Sequence, residues 1–251
     1  MNAPSRNVLA IIPARFASTR LPGKPLATIA GKPMIQHVVE RVRQAQLIKS
    51  ILVATDDERI KKAVEDFGAK AILTRADHRT GTDRVAEVAT HVVADYYVNI
   101  QGDEPLIDPA TVDLVVSEML EDETVQIATP CSAITVPNEI MDPNVVKVVS
   151  DFDGNALYFS RAPIPWVRDT GTSIVARHCK HIGLYGFRRD ALLEFPTLPP
   201  GELEHVEQLE QLRWLENGFR IRVVETEYDA VSVDVPADIE RIEKILRERA
   251  A

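Results

Sequence analysis

Residues 8–26 read VLAIIPARFASTRLPGKPL, an apolar run that empties into a loop carrying Arg15, Arg20 and Lys24. Val8 to Ile12 has no polar residue, which suits a strand buried on both faces of a parallel sheet better than one with a wet side. Pro13 is expected to end it. Open α/β sheets bind ligands at the C-terminal ends of their inner strands. Here such an end offers two guanidinium groups, an ammonium, the hydroxyls of Ser18 and Thr19 and the backbone of Gly23, with Pro22 and Pro25 stiffening the cradle. A triphosphate is the expected occupant, and the alternative is a solvated surface loop. The P-loop is excluded because Ser18 stands where its first glycine belongs and Pro25 replaces its hydroxyl residue, and no G-x-G-x-x-G follows the strand.

Outward from this stretch, apolar periodicity alternates between strand and helix. Met34, Ile35, Val38, Val39 and Val42 recur at helical spacing, with Pro33 acceptable in the first turn. A strand at Ile51 to Thr55, a helix from Asp57 to Phe67 stopped by Gly68, a strand at Ala71 to Leu73, a helix from Asp83 to Ala94 and a strand at Tyr96 to Gln101 follow. Such alternation predicts an α/β fold with a mostly parallel sheet covered by helices. Strands in the second half are expected at Gln126 to Ile134, Val145 to Ser150, Ala156 to Ser160, His181 to Phe187 and Ile221 to Val224, several of them antiparallel. One helix is expected from Glu202 to Asn217, with Glu207, Gln211 and Trp214 on one side, and another from Pro236 to Arg249.

A chain of 251 residues, 45% hydrophobic, can bury the core of one large α/β domain, and a single domain over 1–251 is expected. The net charge of −9 and pI near 5.2 argue against a nucleic-acid polymer as partner, while a local basic pocket can still hold a small anion. Met1 to Asn7 lacks an apolar signal-type segment and no run approaches the roughly 18 apolar residues that span a bilayer, so a cytoplasmic protein without membrane insertion is expected. Cys131 and Cys179 read as reduced thiols, and the His178, Cys179, His181 spacing matches no zinc signature.

Two aspartates follow expected strand ends. Asp103, in VNIQGDEPLI (98–107), should surface on the same sheet edge as the basic loop, where a magnesium ion accompanying a triphosphate would take one or two protein carboxylates. Asp234, in VSVDVP (231–236), is the second candidate ligand. By spacing alone Asp103 reads equally well as a turn residue, and Asp234 reads better as a helix N-cap.

These segments, together with TRADHRTGTDR (74–84), ALYFSRAPIPW (156–166), HIGLYGFRRDALLEF (181–195) and LEHVEQLEQLRWLENG (203–218), closely resemble the 3-deoxy-manno-octulosonate cytidylyltransferase (CMP-KDO synthetase) family over nearly the whole chain. The resemblance implies a Rossmann-like sheet of the nucleotide-diphospho-sugar transferase type. It also implies transfer of CMP from CTP to 3-deoxy-D-manno-octulosonate (KDO) for lipopolysaccharide biosynthesis, with Mg2+, by a homodimer. It further implies nucleotide contacts at Ala14, Arg15, Ser18, Arg20, Lys24, Arg79, Thr80, Gly81, Gln101 and Asp103. Sugar contacts are implied at Gln101, Arg161, His181, Glu210 and Gln211, with sugar binding and dimerisation within about 156–218. The apolar Ile164-Pro165-Trp166 reads as part of an interface or, equally, as a core-packed tryptophan. Arg15, Lys24, Asp103 and Asp234 become the catalytic set, Asp234 being raised because this chain's VDVPADI matches the family's VDTPEDL at the acid. Thr80 replaces a usual Ser and keeps the hydroxyl. A related acidic sugar (8-amino-KDO or sialate) and a catalytically inactive nucleotide-binding module are the competing readings.

Overall fold

The structure is a computed structural model, described here over residues 6–17, 21–168 and 177–250. Strand β1 (Val8–Ala14) lies between β4 (Ser50–Thr55) and β6 (Tyr96–Asn99), parallel to both, in the registers Ile11↔Leu52 and Ile11↔Asn99. Its residues alternate between two cores. Val8, Ala10, Ile12 and Ala14 face helices α1 (Met34–Val42), α2 (Glu58–Asp66) and α4 (Pro109–Glu121), and Leu9 and Ile11 face α3 (Gly81–His91). That explains the unbroken apolar run: each fully buried Val, Leu or Ile contributes about 1.5–3 kcal/mol of transfer free energy, whichever layer it enters. Pro13 does not end the strand. It pairs with Ala54 beyond the last β6 partner, where only one neighbour remains and a missing N–H is tolerated.

The strand order is β5-β4-β1-β6-β11-β7-β10-β8-β9, with β12 also on β7. β5 (Ala71–Leu73) continues the parallel half. β7 (Ile127–Ala133), β8 (Lys147–Ser150), β9 (Ala156–Ser160), β10 (Cys179–His181) and β11 (Tyr185–Arg188) pair antiparallel, while β12 (Arg222–Glu225) is parallel to β7. The sheet is therefore the mixed, helix-flanked α/β type expected. A separate ribbon of β2 (Thr28–Ile29) and β3 (Lys32–Pro33) packs with Met34, Leu106 and Val233 against Ile242 of α9 (Pro236–Ala250).

Local chemistry accounts for most boundaries. Asp57 caps α2 through the Arg59 N–H at 2.8 Å, and Gly68 ends that segment at φ 75. Helix α3 starts two residues earlier than Asp83, because Thr80 caps it and forms a capping box with Asp83. The expected strand from His181 to Phe187 is two strands, β10 pairing with β7 and β8 and β11 pairing with β6 and β7. The expected helix from Glu202 to Asn217 is also two, α7 (Glu202–Glu207) and α8 (Gln211–Glu216), parted by Gln208 in the left-handed region at φ 53. Consequently Leu209, Gln211, Leu212 and Trp214 are all buried rather than divided between faces. Short helices α5 (Pro137–Met141) and α6 (Arg189–Glu194) complete the chain. Among the described residues no helix is long and apolar enough to cross a membrane.

Candidate active site

The C-terminal ends of β1 and β6 border a cavity of ≈ 390 Å³, lined by Ala14, Arg15, Lys24, Arg79, Thr80, Gly81, Gln101, Asp103 and Asp234 among others. Nearly all of the expected nucleotide residues thus meet at one place. Ser18 and Arg20 lie outside the described residues.

Each cavity residue is placed by a local cause. Gly102 brings the β6 exit against β1: a Cβ there would stand 2.7 Å from the Pro13 carbonyl oxygen, a contact only glycine avoids. Asp103 follows at once, and its carbonyl accepts the Val233 N–H at 2.9 Å, which draws Asp234 across the chain. Gly23, at φ 70, leads into a 3-10 turn over Lys24–Leu26 from which the Lys24 side chain extends inward. Its ammonium donates to Asp103 Oδ2 at 2.6 Å and to Asp234 Oδ1 at 3.3 Å. Two carboxylates and one cation therefore converge, with the lysine side chain only 12% exposed. The helix-cap use of the 234–238 segment belongs to Asp238, whose carboxylate accepts the N–H groups of Asp234 and Val235 at 2.8 and 2.9 Å.

The convergence tests the donor set for magnesium. A cation already stands between two hard oxygen donors, which is the environment Mg2+ takes, and two carboxylates suit an ion that shares its remaining sites with phosphate and water. Among the described residues no cluster of three or more His, Cys, Asp or Glu side chains is arranged to hold a metal. Glu104, next in sequence, is buried, and desolvation foremost, with the Asp103 charge adding, pushes its carboxyl up to about 8.

Of the expected sugar residues Gln101 lines this cavity, while Arg161, His181, Glu210 and Gln211 lie outside its lining. Glu210 accepts the Thr82 hydroxyl at 2.5 Å, and Gln101 donates to the Gly183 carbonyl at 3.0 Å. Burial raises the Glu210 carboxyl above its ordinary value. Thr129 donates its hydroxyl to the Leu184 carbonyl at 2.7 Å, so His181 Nε2, 3.0 Å away, donates to Thr129 and its Nδ1 is left as an acceptor. Arg161 turns elsewhere: Nε donates to Glu207 O at 2.7 Å, Nη1 to Pro143 O at 2.8 Å and Nη2 to Gln208 O at 3.3 Å. It thereby braces the Gln208 kink that breaks the expected helix. Gln211 is buried.

Burial pushes the His181 imidazole down to about 3. The unfolded ring takes up its proton near pH 6.5, so between these values the unfolded chain binds more protons. The contribution of neutral His181 is complete above about pH 6.5 and shrinks by up to about 1.4 kcal/mol per pH unit below it. Urea unfolding from about pH 7 to about pH 4 is expected to show a steeper loss for the wild type than for His181→Asn. Parallel curves would mean the ring titrates as if solvated.

Three further groups escaped the sequence reading. Arg84 lines the cavity while paired with Asp56 at 2.9 Å; Arg84 sits in the quoted 74–84 segment, but no spacing suggests the pair. Lys147, fully buried, donates to the carbonyls of Asp142, Val145 and Arg161 at 2.9, 2.6 and 2.7 Å. Asn99 is fully buried beside Gly81, and among the described residues neither of its side-chain polar atoms has a hydrogen-bond partner.

The sequence profile described as cytidylyltransferase matches residues 9–224. The 3-deoxy-manno-octulosonate cytidylyltransferase of Solibacter usitatus is 54% identical, over 96% of this chain and 95% of its own length. That of Geobacter sulfurreducens is 52% identical, over 94% and 98%. A solved structure of CMP:2-keto-3-deoxy-manno-octonic acid synthetase complexed with CTP superposes with a TM-score of 0.92 at 45% identity, covering 97% of this chain and 99% of that one.

Proposed function

The chain belongs to the 3-deoxy-manno-octulosonate cytidylyltransferase family, and from that premise we propose that it transfers CMP from CTP to KDO, releasing pyrophosphate and yielding CMP-KDO for lipopolysaccharide assembly. The observation that carries the reading is the meeting of Lys24, Asp103 and Asp234 at a cavity whose other walls include Arg15, Arg79 and Gln101.

The KDO anomeric hydroxyl attacks the α-phosphorus in line as the bond to pyrophosphate breaks. Phosphoryl transfer leaves side chains the tasks of positioning and charge stabilisation. Arg15 and Lys24 hold the phosphates, and Lys24 meets the charge that builds on the leaving group. Arg20 assists them. Asp103 and Asp234 would hold Mg2+. When bound, that ion supplies neutralisation of phosphate charge and a fixed template for the reacting oxygens. No side chain is assigned as a base.

The entry to α3, Arg79 to Gly81, reads the cytosine edge, with backbone groups and small side chains able to meet an exocyclic amine. Gln101 stands between nucleotide and sugar. Neutral His181, Glu210 and Gln211 receive KDO hydroxyls, and Arg161, whose Nη1 and Nη2 each give one N–H to a backbone carbonyl, has a second N–H on each to serve the KDO carboxylate. On this reading the enzyme works in the cytoplasm, where CTP is available, as a homodimer. Exposed Leu157 of edge strand β9, Trp166 and Val206, at 62%, 73% and 73% exposure, support an apolar contact between copies. A monomer mass at micromolar concentration would count against it.

The experiment is pyrophosphate release with magnesium. CTP with KDO is expected to react, and UTP to react at least about tenfold more slowly, the value of one or two missed hydrogen bonds. Equal CTP and UTP rates would defeat the cytosine assignment. Faster turnover of sialate or 8-amino-KDO than of KDO would reassign the sugar.

A further inference from the structure

Phe16 lies between Arg15 and Lys24 on the phosphate loop and is absent from the chemistry assigned above. Its carbonyl accepts the Gly23 N–H at 3.1 Å, which ties together the described stems on either side of residues 18–20. Its ring edge occupies the space beside Gly23, where an added Cβ would lie 3.2 Å from Cε2 and Cζ. Gly23 is also left-handed at φ 70, so its conformation and its lack of a side chain both serve this junction. From there Leu26 N–H donates to Gly23 O at 2.8 Å, forming the turn that launches Lys24 toward the two aspartates.

The ring is held by a second element. The Arg59 guanidinium carbon lies 3.4 Å from the Phe16 centroid, a cation–π stack. Arg59 is in turn aligned by Asp57, with Nε to Oδ1 at 2.9 Å and Nη2 to Oδ2 at 2.6 Å, the forked geometry that fixes a guanidinium plane. Asp57 also caps α2, so the anchor is part of a helix end. The Arg59 side chain is 62% exposed and covers the outer face of a ring that itself packs, partly buried, against the core.

We infer that Asp57, Arg59 and Phe16 form a latch that holds the phosphate loop in its binding geometry, with Phe16 and Arg59 acting as positioning residues for Arg15 and Lys24. The inference rests on the reading of this loop as a CTP site. Loss of the stack frees the stems, so nucleotide must order them again on binding, and CTP affinity falls while sugar affinity does not.

The test compares Phe16→Ala, Phe16→Tyr, Arg59→Ala and Arg59→Lys. Arg59→Ala should raise the CTP KM about two- to fivefold, the worth of one exposed cation–π contact. Phe16→Ala, which also empties the space beside Gly23, should raise it by about tenfold or more. Phe16→Tyr should stay within about twofold of wild type, and Arg59→Lys, which keeps the charge but loses the fork to Asp57, should fall between wild type and Arg59→Ala, with kcat and the KDO KM unchanged in all four. Amide hydrogen exchange at Gly23 should quicken in both alanine variants without nucleotide, while amides of β1 keep their protection. An unchanged CTP KM in both alanine variants, or an equal rise in both substrate KM values, overturns the latch. If Phe16→Ala does not fold, Arg59→Ala decides alone. If the wild type does not consume CTP, the proposed function fails, and Gly23 exchange still tests the latch: unchanged exchange in Arg59→Ala overturns it.

Discussion

Asp103→Asn is expected to lower kcat by on the order of a thousandfold while leaving the fold intact, the scale seen when one electrostatic group acting on developing charge is removed. The fold should survive because the residue's position is set by its backbone. Gly102 seats the turn against Pro13, and the Asp103 carbonyl holds the Val233 N–H, neither of which the substitution touches. The charge alone is lost, and an amide turned toward the Lys24 ammonium can offer only one oxygen where the carboxylate offered two. Asp234→Asn should behave likewise, and the double variant should be little worse than either single one, since groups that act as a unit are not additive. Rates under saturating CTP, KDO and magnesium, with circular dichroism as the fold control, decide it. A folded Asp103→Asn enzyme with near-normal turnover would remove this residue from the chemistry.

The second large effect belongs to Lys24→Met, expected to reduce kcat by about a hundred- to a thousandfold. Here the direction of metal binding separates two roles for the lysine. The ammonium lies against both carboxylates. As their counter-ion it competes with any divalent cation for the same oxygens. Its removal should therefore strengthen binding of Mn2+, used as a probe for Mg2+, even as catalysis collapses. If Mn2+ affinity and turnover fell together, Lys24 would be holding the aspartates in place and would have no separate role toward phosphate.

The parts of this protein legible in its sequence are those whose physics is local. The apolar run of β1 reads correctly because both faces of the strand are covered, and the strand end with its basic loop marks the ligand edge of the sheet. Asp103 was reachable by the same reasoning at the end of β6. Helix α4 carried a readable signal too, an Asp108 cap, Pro109 at its start and Val112, Val115, Val116 and Met119 at helical spacing, yet it was not among the expected elements. The break at Gln208 carried none, since its brace is a guanidinium 47 residues away in β9's wake. The candidate sugar residues rest on resemblance, and the partners of Glu210, His181 and Gln101, namely Thr82, Thr129 and Gly183, emerge only from packing.

By itself the sequence determined the alternation of strand and helix, the basic loop and the presence of two acids after strand ends. Only the tertiary structure decided that those acids share one cation. Lys24 and Asp103 are separated by 79 positions, and Lys24 and Asp234 by 210. No periodicity relates residues so far apart. Their meeting depends on the pairing of β1 with β6, on a glycine that lets the two strand exits touch, and on one backbone hydrogen bond that carries the 233–234 segment to Asp103.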